Sequence, residues 1–325
     1  MVDTFGRVAR DLRVSVTDRC NLRCTYCMPA EGLPWMAKAE MLTDDELLRV
    51  IGVFVGLGVR QVRLTGGEPL LRRSIVDVVA GITALDPRPQ VAMTTNGIGL
   101  GRLASPLAVA GLDRVNVSLD TIDPEVFAQL TLRDRLSDVE KGLAAAAEAG
   151  LTPVKVNAVA MRGVNDHVVA DVLSWCLDRG YELRFIEQMP LDAQHGWDRD
   201  EMISAVELRD RLSERFTLEP LPGRGSAPAQ RYLVDGGPAT LGIIASVSEP
   251  FCASCDRTRL TADGQVRNCL FSEQETDLRG PLRDGASDAE LAGLIRGEMW
   301  RKAQGHGIGE PDFQQPTRPM SAIGG

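Results

Sequence analysis

The chain has 325 residues, a hydrophobic content of 44%, a charged content of 25% and a formal net charge of -9 at pH 7. These proportions are typical of an ordinary globular protein, and the acidic balance argues against a nucleic-acid or membrane-surface binder. No apolar run of about 18 residues and no signal-peptide pattern is found, so we expect a cytoplasmic protein without a membrane or nucleic-acid partner. Any anionic substrate must then be held by a local basic cluster.

The first half of the chain alternates short strands with helices. A strand over residues 12–17 is followed by a helix that a capping box at Thr43 opens and that ends near Leu57. Further strands are predicted at Gln61–Thr65, Val91–Thr95, Arg114–Leu119, Val154–Met161 and Tyr181–Met189. Helices are predicted between them at Ser74–Leu85, Arg102–Ala110, Leu136–Ala149 and Asp166–Arg179.

This alternation indicates βαβ units and a parallel sheet. Six units are fewer than the eight of a closed TIM barrel. We therefore predict an α/β fold built on a partial (βα)6 TIM-like barrel, with a doubly wound sheet as the alternative.

The pattern changes after Pro190. A helix is predicted at Glu201–Phe216, strands at Arg231–Val234 and Ala239–Ala245, a hairpin around Asp263-Gly264, and a helix from the capping box at Ser287 to about Lys302. We predict two domains. Residues 1–190 form the barrel, and residues 191–325 form a smaller α+β region that caps its open side and ends in a Gly324-Gly325 tail.

The seven cysteines are better explained by metal binding than by disulfides in a reducing compartment. Cys176 lies in an apolar-periodic run and is predicted to be a buried core thiol. The other six fall in two groups of three: Cys20, Cys24 and Cys27, and Cys252, Cys255 and Cys269.

The first group has the spacing C-x3-C-x2-C. Structural zinc sites and ordinary ferredoxin clusters use four protein ligands, whereas three thiolates on a cubane cluster leave one iron open to a ligand that is not protein. A zinc site completed from afar and a chance group of buried thiols remain alternatives. Gly66-Gly67-Glu68-Pro69 ends the next strand, where the glycines permit close backbone approach and Glu68 offers an acceptor for an ammonium group.

The second group has the spacing C-x2-C-x13-C. It favours a second open iron–sulfur cluster over a zinc site that borrows a distant ligand. Arg257 and Arg259 lie two apart on a predicted strand and would project from one face as a fork for phosphate oxygens. The alternative is an exposed strand face with solvated arginines. No P-loop sequence is present.

These motifs resemble those of the radical S-adenosylmethionine (SAM) superfamily. The first cysteine group, with Tyr26 before its last cysteine, resembles the superfamily signature, and residues 66–69 resemble its methionine-amine motif. The match extends to one family, the GTP 3′,8-cyclases of molybdenum-cofactor biosynthesis (molybdenum cofactor biosynthesis protein A). The segments that carry it are residues 5–7, 12–20, 63–69 and 184–190, the second cysteine group and the terminal Gly-Gly.

The resemblance implies a lyase that uses SAM and two 4Fe-4S clusters. Cys20, Cys24 and Cys27 would hold the cluster that binds SAM, and one electron would cleave SAM to methionine and a 5′-deoxyadenosyl radical. Loss of the 3′ hydrogen of GTP and attack on C8 of guanine would give (8S)-3′,8-cyclo-7,8-dihydroguanosine 5′-triphosphate. The second cluster would bind guanine. The implied partners are a one-electron reductant, a cyclic pyranopterin monophosphate synthase downstream, and a second copy of the chain in a homodimer.

The resemblance also assigns ligand contacts residue by residue. Those to SAM are Tyr26, Gly67, Ser118 and Met189. Those to GTP are Arg13, Arg63, Thr94, Lys155, Arg257, Thr258 and Arg259. No protein residue is assigned as catalytic with certainty, and Arg257 and Arg259 are the nearest candidates. The Gly324-Gly325 tail would reach into the active site, with a frayed terminus as the alternative.

Two positions depart from the family pattern, and two other functions stay open. Asp256 replaces a frequent Asn, which would disfavour the reduced second cluster or alter a substrate contact, and Leu132 replaces a common Gly. Another radical SAM enzyme, acting on a peptide or a haem precursor, would not need the arginine pair or the tail. A non-catalytic protein with two zinc sites or an electron-carrier role would not need Gly66–Pro69.

Overall fold

A computed structural model describes residues 1–324, so Gly325 of the predicted tail lies outside the described residues. The strands in this part are β1 Asp11–Ser15, β2 Gln61–Thr65, β3 Gln90–Thr95, β4 Arg114–Ser118, β5 Lys155–Ala160, β6 Glu182–Glu187, β7 Leu218–Pro220, β8 Gln230–Val234, β9 Thr240–Ile244, β10 Arg257–Leu260, β11 Gln265–Arg267 and β12 Thr276–Asp277. The helices are α1 Asp44–Gly56, α2 Ile75–Thr83, α3 Leu100–Val109, α4 Pro124–Thr131, α5 Leu136–Glu148, α6 Val169–Asp178, α7 Ala205–Ser213, α8 Arg279–Arg283, α9 Asp288–Trp300 and α10 Met320–Ile323.

The first six strands form the barrel. β1 to β6 lie side by side in sequence order, and each pair is parallel. Parallel neighbours require crossover connections, and the helices between these strands supply them. A doubly wound sheet would instead reverse its strand order at one point. The partial (βα)6 TIM-like barrel is therefore confirmed.

Strands from the C-terminal region extend the barrel sheet at both of its edges. β9 pairs in parallel with β6 and continues antiparallel to β8 and β7. β10 pairs in parallel with β1 and continues antiparallel to β11 and β12, which confirms the predicted hairpin at Asp263-Gly264. The residues after Pro190 therefore flank the open barrel from two sides, and the domain boundary at residue 190 stays a prediction.

Capping residues fix where several helices begin. The predicted capping boxes at Thr43 and Ser287 are both present. The helix predicted from residue 201 begins later, at Ala205, because Ser204 forms a third capping box with Glu207. The helix α4 is missing from the predictions, although Asp123 caps it and a proline follows at its first position.

Glu187, at the end of β6, ties the barrel to the C-terminal region. Its fully buried carboxylate accepts hydrogen bonds from the backbone N–H groups of Ala205 at 2.8 Å, Val247 at 2.8 Å and Ser248 at 2.9 Å. Burying a carboxylate is costly unless its oxygens are satisfied in this way. This side chain therefore fixes the start of α7 and the loop after β9 relative to the barrel.

The core also contains the seventh cysteine. Cys176 lies on α6 with no exposed surface, as predicted, and burial raises the pKa of its thiol to about 12. None of the helices in residues 1–324 is long and apolar enough to cross a membrane.

Leu132, one of the two departures from the family pattern, ends α4 in the left-handed region, with φ 52° and ψ 30°. A Cβ atom makes this conformation unfavourable by about 1–2 kcal/mol, whereas glycine adopts it freely. We expect the free energy of unfolding of Leu132→Gly to exceed that of Leu132→Ala by about 1 kcal/mol. The two variants differ only in the Cβ atom, which is strained in this conformation. Urea denaturation would measure the difference.

Ala149 provides the matched control. It ends α5 with φ -78° and ψ -1°, an ordinary right-handed conformation. Ala149→Gly should therefore destabilise the protein by about 0.5–1 kcal/mol. A Gly variant at position 132 that is no more stable than its Ala counterpart would show that the left-handed backbone carries no strain.

Candidate active site

One cavity at the C-terminal ends of the barrel strands contains both cysteine groups. In parallel α/β folds this edge is where active sites are built. All four residues predicted to contact SAM line this cavity, and so do five of those predicted to contact GTP. These residues are Tyr26, Gly67, Ser118 and Met189, and Arg13, Arg63, Thr94, Arg257 and Arg259.

Cys20, Cys24 and Cys27 occupy the loop after β1, and all three line the cavity. A tight turn brings the last two together, since the N–H of Cys27 donates to the carbonyl of Cys24 at 2.8 Å. Burial, followed by the nearby charges of Cys20 and Asp192, raises the pKa of Cys27 to about 12. Three thiolates here would therefore need a positive partner, and a bound metal cluster supplies one.

In the second group, burial raises the pKa of Cys252, but Cys255 has a different electrostatic setting. Cys255 closes a turn on Cys252 through an N–H to carbonyl hydrogen bond of 3.1 Å, and Cys269 follows β11. Burial alone would raise the pKa of Cys255, but the cations Arg257 and Lys302 outweigh it and lower that pKa to about 7. The thiolate, the form that binds metal, is thus favoured at Cys255.

Each cysteine group offers three thiol donors, and none of the six forms a disulfide. Within residues 1–324, no three His, Cys, Asp or Glu side chains are arranged to hold a single metal ion. A zinc ion needs thiolates that converge to about 2.3 Å from one point. Both cysteine groups border the shared cavity.

Arginines form a row across three neighbouring strands. Arg13 on β1 pairs in register with Arg259 on β10 and with Arg63 on β2. Residues paired in this way project from the same face of a sheet, so their guanidinium groups enter the cavity side by side. Arg257 and Arg259 are both buried, which rules out the alternative of an exposed strand face.

The cavity holds positive charge that the protein does not neutralise. Within residues 1–324, five lining arginines have no Asp or Glu partner: Arg13, Arg63, Arg184, Arg257 and Arg259. The buried Nε atoms of Arg13, Arg63 and Arg184 also lack any hydrogen-bond partner there. Burial and then repulsion from Arg13 lower the pKa of Arg63 to about 9. An anion is the ligand that this arrangement fits.

Two residues predicted to contact GTP lie elsewhere. Lys155 pairs with Glu182 at 2.6 Å, and the hydroxyl of Thr258 donates to the carbonyl of Arg267 at 3.3 Å. Neither is among the residues that line the cavity. Their contacts with GTP stay predictions.

Sequence reasoning assigned no ligand to two further lining residues. Arg184 on β6 and Asn157 on β5 are paired in register, and both line the cavity. The strands β5 and β6 alternate strictly between buried and half-exposed residues. That period of two, read together with the polar residues on one face, indicates the face that meets a ligand.

The Gly-Gly-Glu-Pro turn acts differently from its prediction. Glu68 is fully buried and does not line the cavity; its carboxylate accepts hydrogen bonds from the N–H of Asn96 at 2.7 Å and from the hydroxyl of Thr95 at 2.7 Å. A Cβ atom on Gly66 would lie 2.3 Å from the carbonyl oxygen of Thr17, so only glycine fits there. Glu68 therefore positions the turn, and the backbone of residues 66–67 faces the cavity.

Asp120 is a further site residue that sequence reasoning did not assign. The hydroxyl of Tyr26 donates to its carboxylate at 2.7 Å, and the N–H of Val159 donates to the other oxygen at 2.8 Å. Burial raises the pKa of Asp120 to about 6. The pair fixes Tyr26 beside the first cysteine group.

The C-terminal tail lies against the arginine row. A guanidinium N–H of Arg259 donates to the carbonyl of Gly324, which is buried. A Cβ atom on Gly324 would lie 2.8 Å from Thr65 and 3.0 Å from Ser15. The described part of the tail therefore reaches the cavity, which favours an active-site tail over a frayed terminus.

Glu68→Gln should weaken the pH dependence of stability. Burial raises the pKa of Glu68 to about 7 from an ordinary 4.5. When folding raises the pKa of an acid, the folded protein loses stability as the pH rises above the pKa of that acid in the unfolded chain. The loss is complete once the pH exceeds the pKa in the folded protein. Glu68 should therefore lower the free energy of unfolding of the wild type by about 3 kcal/mol as the pH rises from 4.5 to 7. The Gln variant should lack this pH dependence.

Urea unfolding of the cluster-free protein between pH 5 and 8 measures the effect. Glu219→Gln, at an exposed position on β7, is the matched control and should behave like the wild type. Identical pH slopes for wild type and Glu68→Gln would contradict a raised pKa at Glu68.

Solved structures resemble this fold at low sequence identity. SuiB from Streptococcus suis, bound to S-adenosylmethionine, matches with a TM-score of 0.62 and 13% identity over 97% of this chain and 76% of its own. The protein anSMEcpe, with bound AdoMet, matches with a TM-score of 0.59 and 14% identity over 92% of this chain and 82% of its own. At these identities the likeness shows the fold alone.

Sequence comparisons identify the family. The radical SAM superfamily model matches residues 14–176, and the model described as Molybdenum Cofactor Synthesis C matches residues 181–308. A GTP 3′,8-cyclase of Streptomyces coelicolor is 62% identical over 328 residues, covering 100% of this chain and 96% of its own. A GTP 3′,8-cyclase 2 of Mycobacterium tuberculosis is 59% identical over 331 residues, covering 100% of this chain and 92% of its own. The chain therefore belongs to the GTP 3′,8-cyclase family of radical SAM enzymes.

Proposed function

We propose that this chain is a lyase that cyclises GTP to (8S)-3′,8-cyclo-7,8-dihydroguanosine 5′-triphosphate, the first step of molybdenum-cofactor biosynthesis. Family membership supports the reaction. The single observation that best supports the substrate is the set of five buried or half-buried arginines without carboxylate partners in residues 1–324, in a chain whose net charge is -9. A triphosphate supplies the negative charge that they lack.

The SAM end of the site is built on the first cysteine group. Cys20, Cys24 and Cys27 would hold a 4Fe-4S cluster, which when bound supplies the electron that cleaves SAM. The backbone of Gly67 permits close approach of SAM, and Ser118 and Met189 line the cavity on other strand ends. The hydrogen bond from Tyr26 to Asp120 keeps the aromatic ring in a fixed orientation beside them.

The GTP end of the site is built on β10 and its neighbours. Arg13, Arg63 and Arg259 would bind phosphate oxygens as a row, and Arg257 and Arg184 would add contacts on either side. Cys252, Cys255 and Cys269 would hold a second 4Fe-4S cluster that receives guanine. The thiolate favoured at Cys255 supports this second cluster, because thiolate is the form that binds iron.

The reaction needs a one-electron reductant, and its product requires a downstream synthase that forms cyclic pyranopterin monophosphate. We further propose a homodimer in the cytoplasm, a reducing compartment that suits free thiols and iron–sulfur ligands. A radical SAM enzyme acting on a peptide or a haem precursor is less well supported, since the relatives at 62% and 59% identity are GTP 3′,8-cyclases.

Iron and sulfide analysis under anaerobic conditions tests the proposal, together with an assay of SAM cleavage. We expect about eight irons per chain, four for each cubane cluster, and 5′-deoxyadenosine formation that depends on GTP. About four irons would eliminate the second cluster. Cleavage of SAM that is indifferent to GTP would argue against GTP as the substrate.

Arg63→Met should weaken GTP binding about 10- to 100-fold, because it removes charge-assisted hydrogen bonds worth about 1.5–3 kcal/mol. SAM binding should not change, since the arginine row that includes Arg63 is proposed to bind the phosphates of GTP. Isothermal titration of each ligand measures both effects. The control is Arg102→Met, an exposed arginine on α3. Equal losses of SAM and GTP binding, or no loss of GTP binding, would contradict the assignment of Arg63 to the phosphates.

A further inference from the structure

Lys302, just after α9, lies beside the second cysteine group. Its side chain is buried, with only 3% of the residue exposed. The ammonium donates to the carbonyl of Arg257 at 2.6 Å and lies 3.4 Å from the carbonyl of Cys255 and 3.3 Å from its Sγ atom. The lysine therefore reaches a proposed cluster ligand directly.

The ammonium of Lys302 has no ordinary counter-ion. No Asp or Glu oxygen in residues 1–324 lies within 4.0 Å of its Nζ atom. By contrast, the less buried Lys155 pairs with Glu182 at 2.6 Å. Burying an unpaired ammonium is costly, and carbonyl groups offer only dipoles. Among its hydrogen-bond partners, the Sγ atom of Cys255 is the one that can carry a full negative charge.

Arg7 holds the segment with Lys302 against the cysteine turn. Its guanidinium donates to the carbonyls of Ala303 at 2.6 Å, Gln304 at 3.0 Å and Cys252 at 2.8 Å. The charge of Arg7 is balanced by Asp3 at 2.5 Å. Arg7 therefore serves as a neutralised cross-link, and the charge of Lys302 remains available to Cys255.

We propose that Lys302 is the counter-cation of the second iron–sulfur cluster. Its ammonium orients the Cys255 thiolate for binding iron and stabilises the reduced, more negative form of the cluster. Hydrogen bonds and positive charge at cluster sulfur atoms raise the reduction potential, so the lysine makes the cluster easier to reduce. This inference rests on the proposed second cluster.

The reduction potential of that cluster tests the inference in the full-length chain. The parent variant lacks the first cluster because it combines three substitutions, Cys20→Ala, Cys24→Ala and Cys27→Ala. The remaining electron paramagnetic resonance signal then belongs to the second cluster, which dithionite reduces. In this background, Lys302→Met should make the one-electron reduction equilibrium at least tenfold less favourable, a shift of about 59 mV to more negative potential. Lys302→Arg should retain most of the potential.

Two further variants separate charge from structure. Lys141→Met, which removes an exposed lysine of α5, should leave the potential unchanged. Lys302→Gln keeps a donor without charge and should resemble Lys302→Met; it replaces that variant if circular dichroism shows that the methionine variant does not fold.

Each outcome has a defined meaning. An unchanged potential in Lys302→Met or Lys302→Gln, with the cluster retained, overturns the inference. Loss of the cluster from these neutral variants but not from Lys302→Arg supports it, whereas loss from all three folded variants contradicts a role of charge. If the parent with the three alanines holds no iron, the proposed second cluster has itself failed, and that result is obtained before any Lys302 variant is measured.

Discussion

The parallel pairing of β10 with β1 is the constraint on which the active site depends. The two strands are separated by most of the chain, yet their register places Arg259 beside Arg13, which in turn lies beside Arg63. The same pairing brings the turn with Cys252 and Cys255 to the cavity that the first cysteine group borders. Without this edge strand, the cavity would lack Arg257 and Arg259, and the barrel would supply only Arg13, Arg63 and Arg184 of its arginines.

The electrostatics of the cavity oppose those of the whole protein. The chain has a net charge of -9, but the cavity concentrates arginines without carboxylate partners in the described residues. Their burial is unfavourable until an anion arrives, which makes the site selective for a highly charged ligand. One cysteine of each group, Cys255 and Cys27, differs in the same respect. Cations lower the pKa at Cys255, whereas burial and nearby negative charge raise it at Cys27.

Local signals made the barrel predictable from the sequence. The alternation of strands and helices predicted the parallel sheet, and the capping box at Thr43 predicted the start of α1. Long-range strand pairing could not be predicted in the same way, because no local sequence pattern indicates that β9 pairs with β6 or that β10 pairs with β1. The contact of Lys302 with Cys255 could not be predicted for the same reason, because it joins distant segments. Nor could the sequence show that the carboxylate of Glu68 accepts its hydrogen bonds from the protein itself.

We propose that SAM and GTP meet in one cavity, between the two cysteine groups. The most direct measurement is transfer of deuterium from GTP labelled at the ribose C3′ position, followed by mass spectrometry of the 5′-deoxyadenosine formed. We expect the label to appear in 5′-deoxyadenosine, because the proposed sites would place the reacting carbon of SAM next to the sugar. Unlabelled 5′-deoxyadenosine formed alongside turnover of labelled GTP would contradict it.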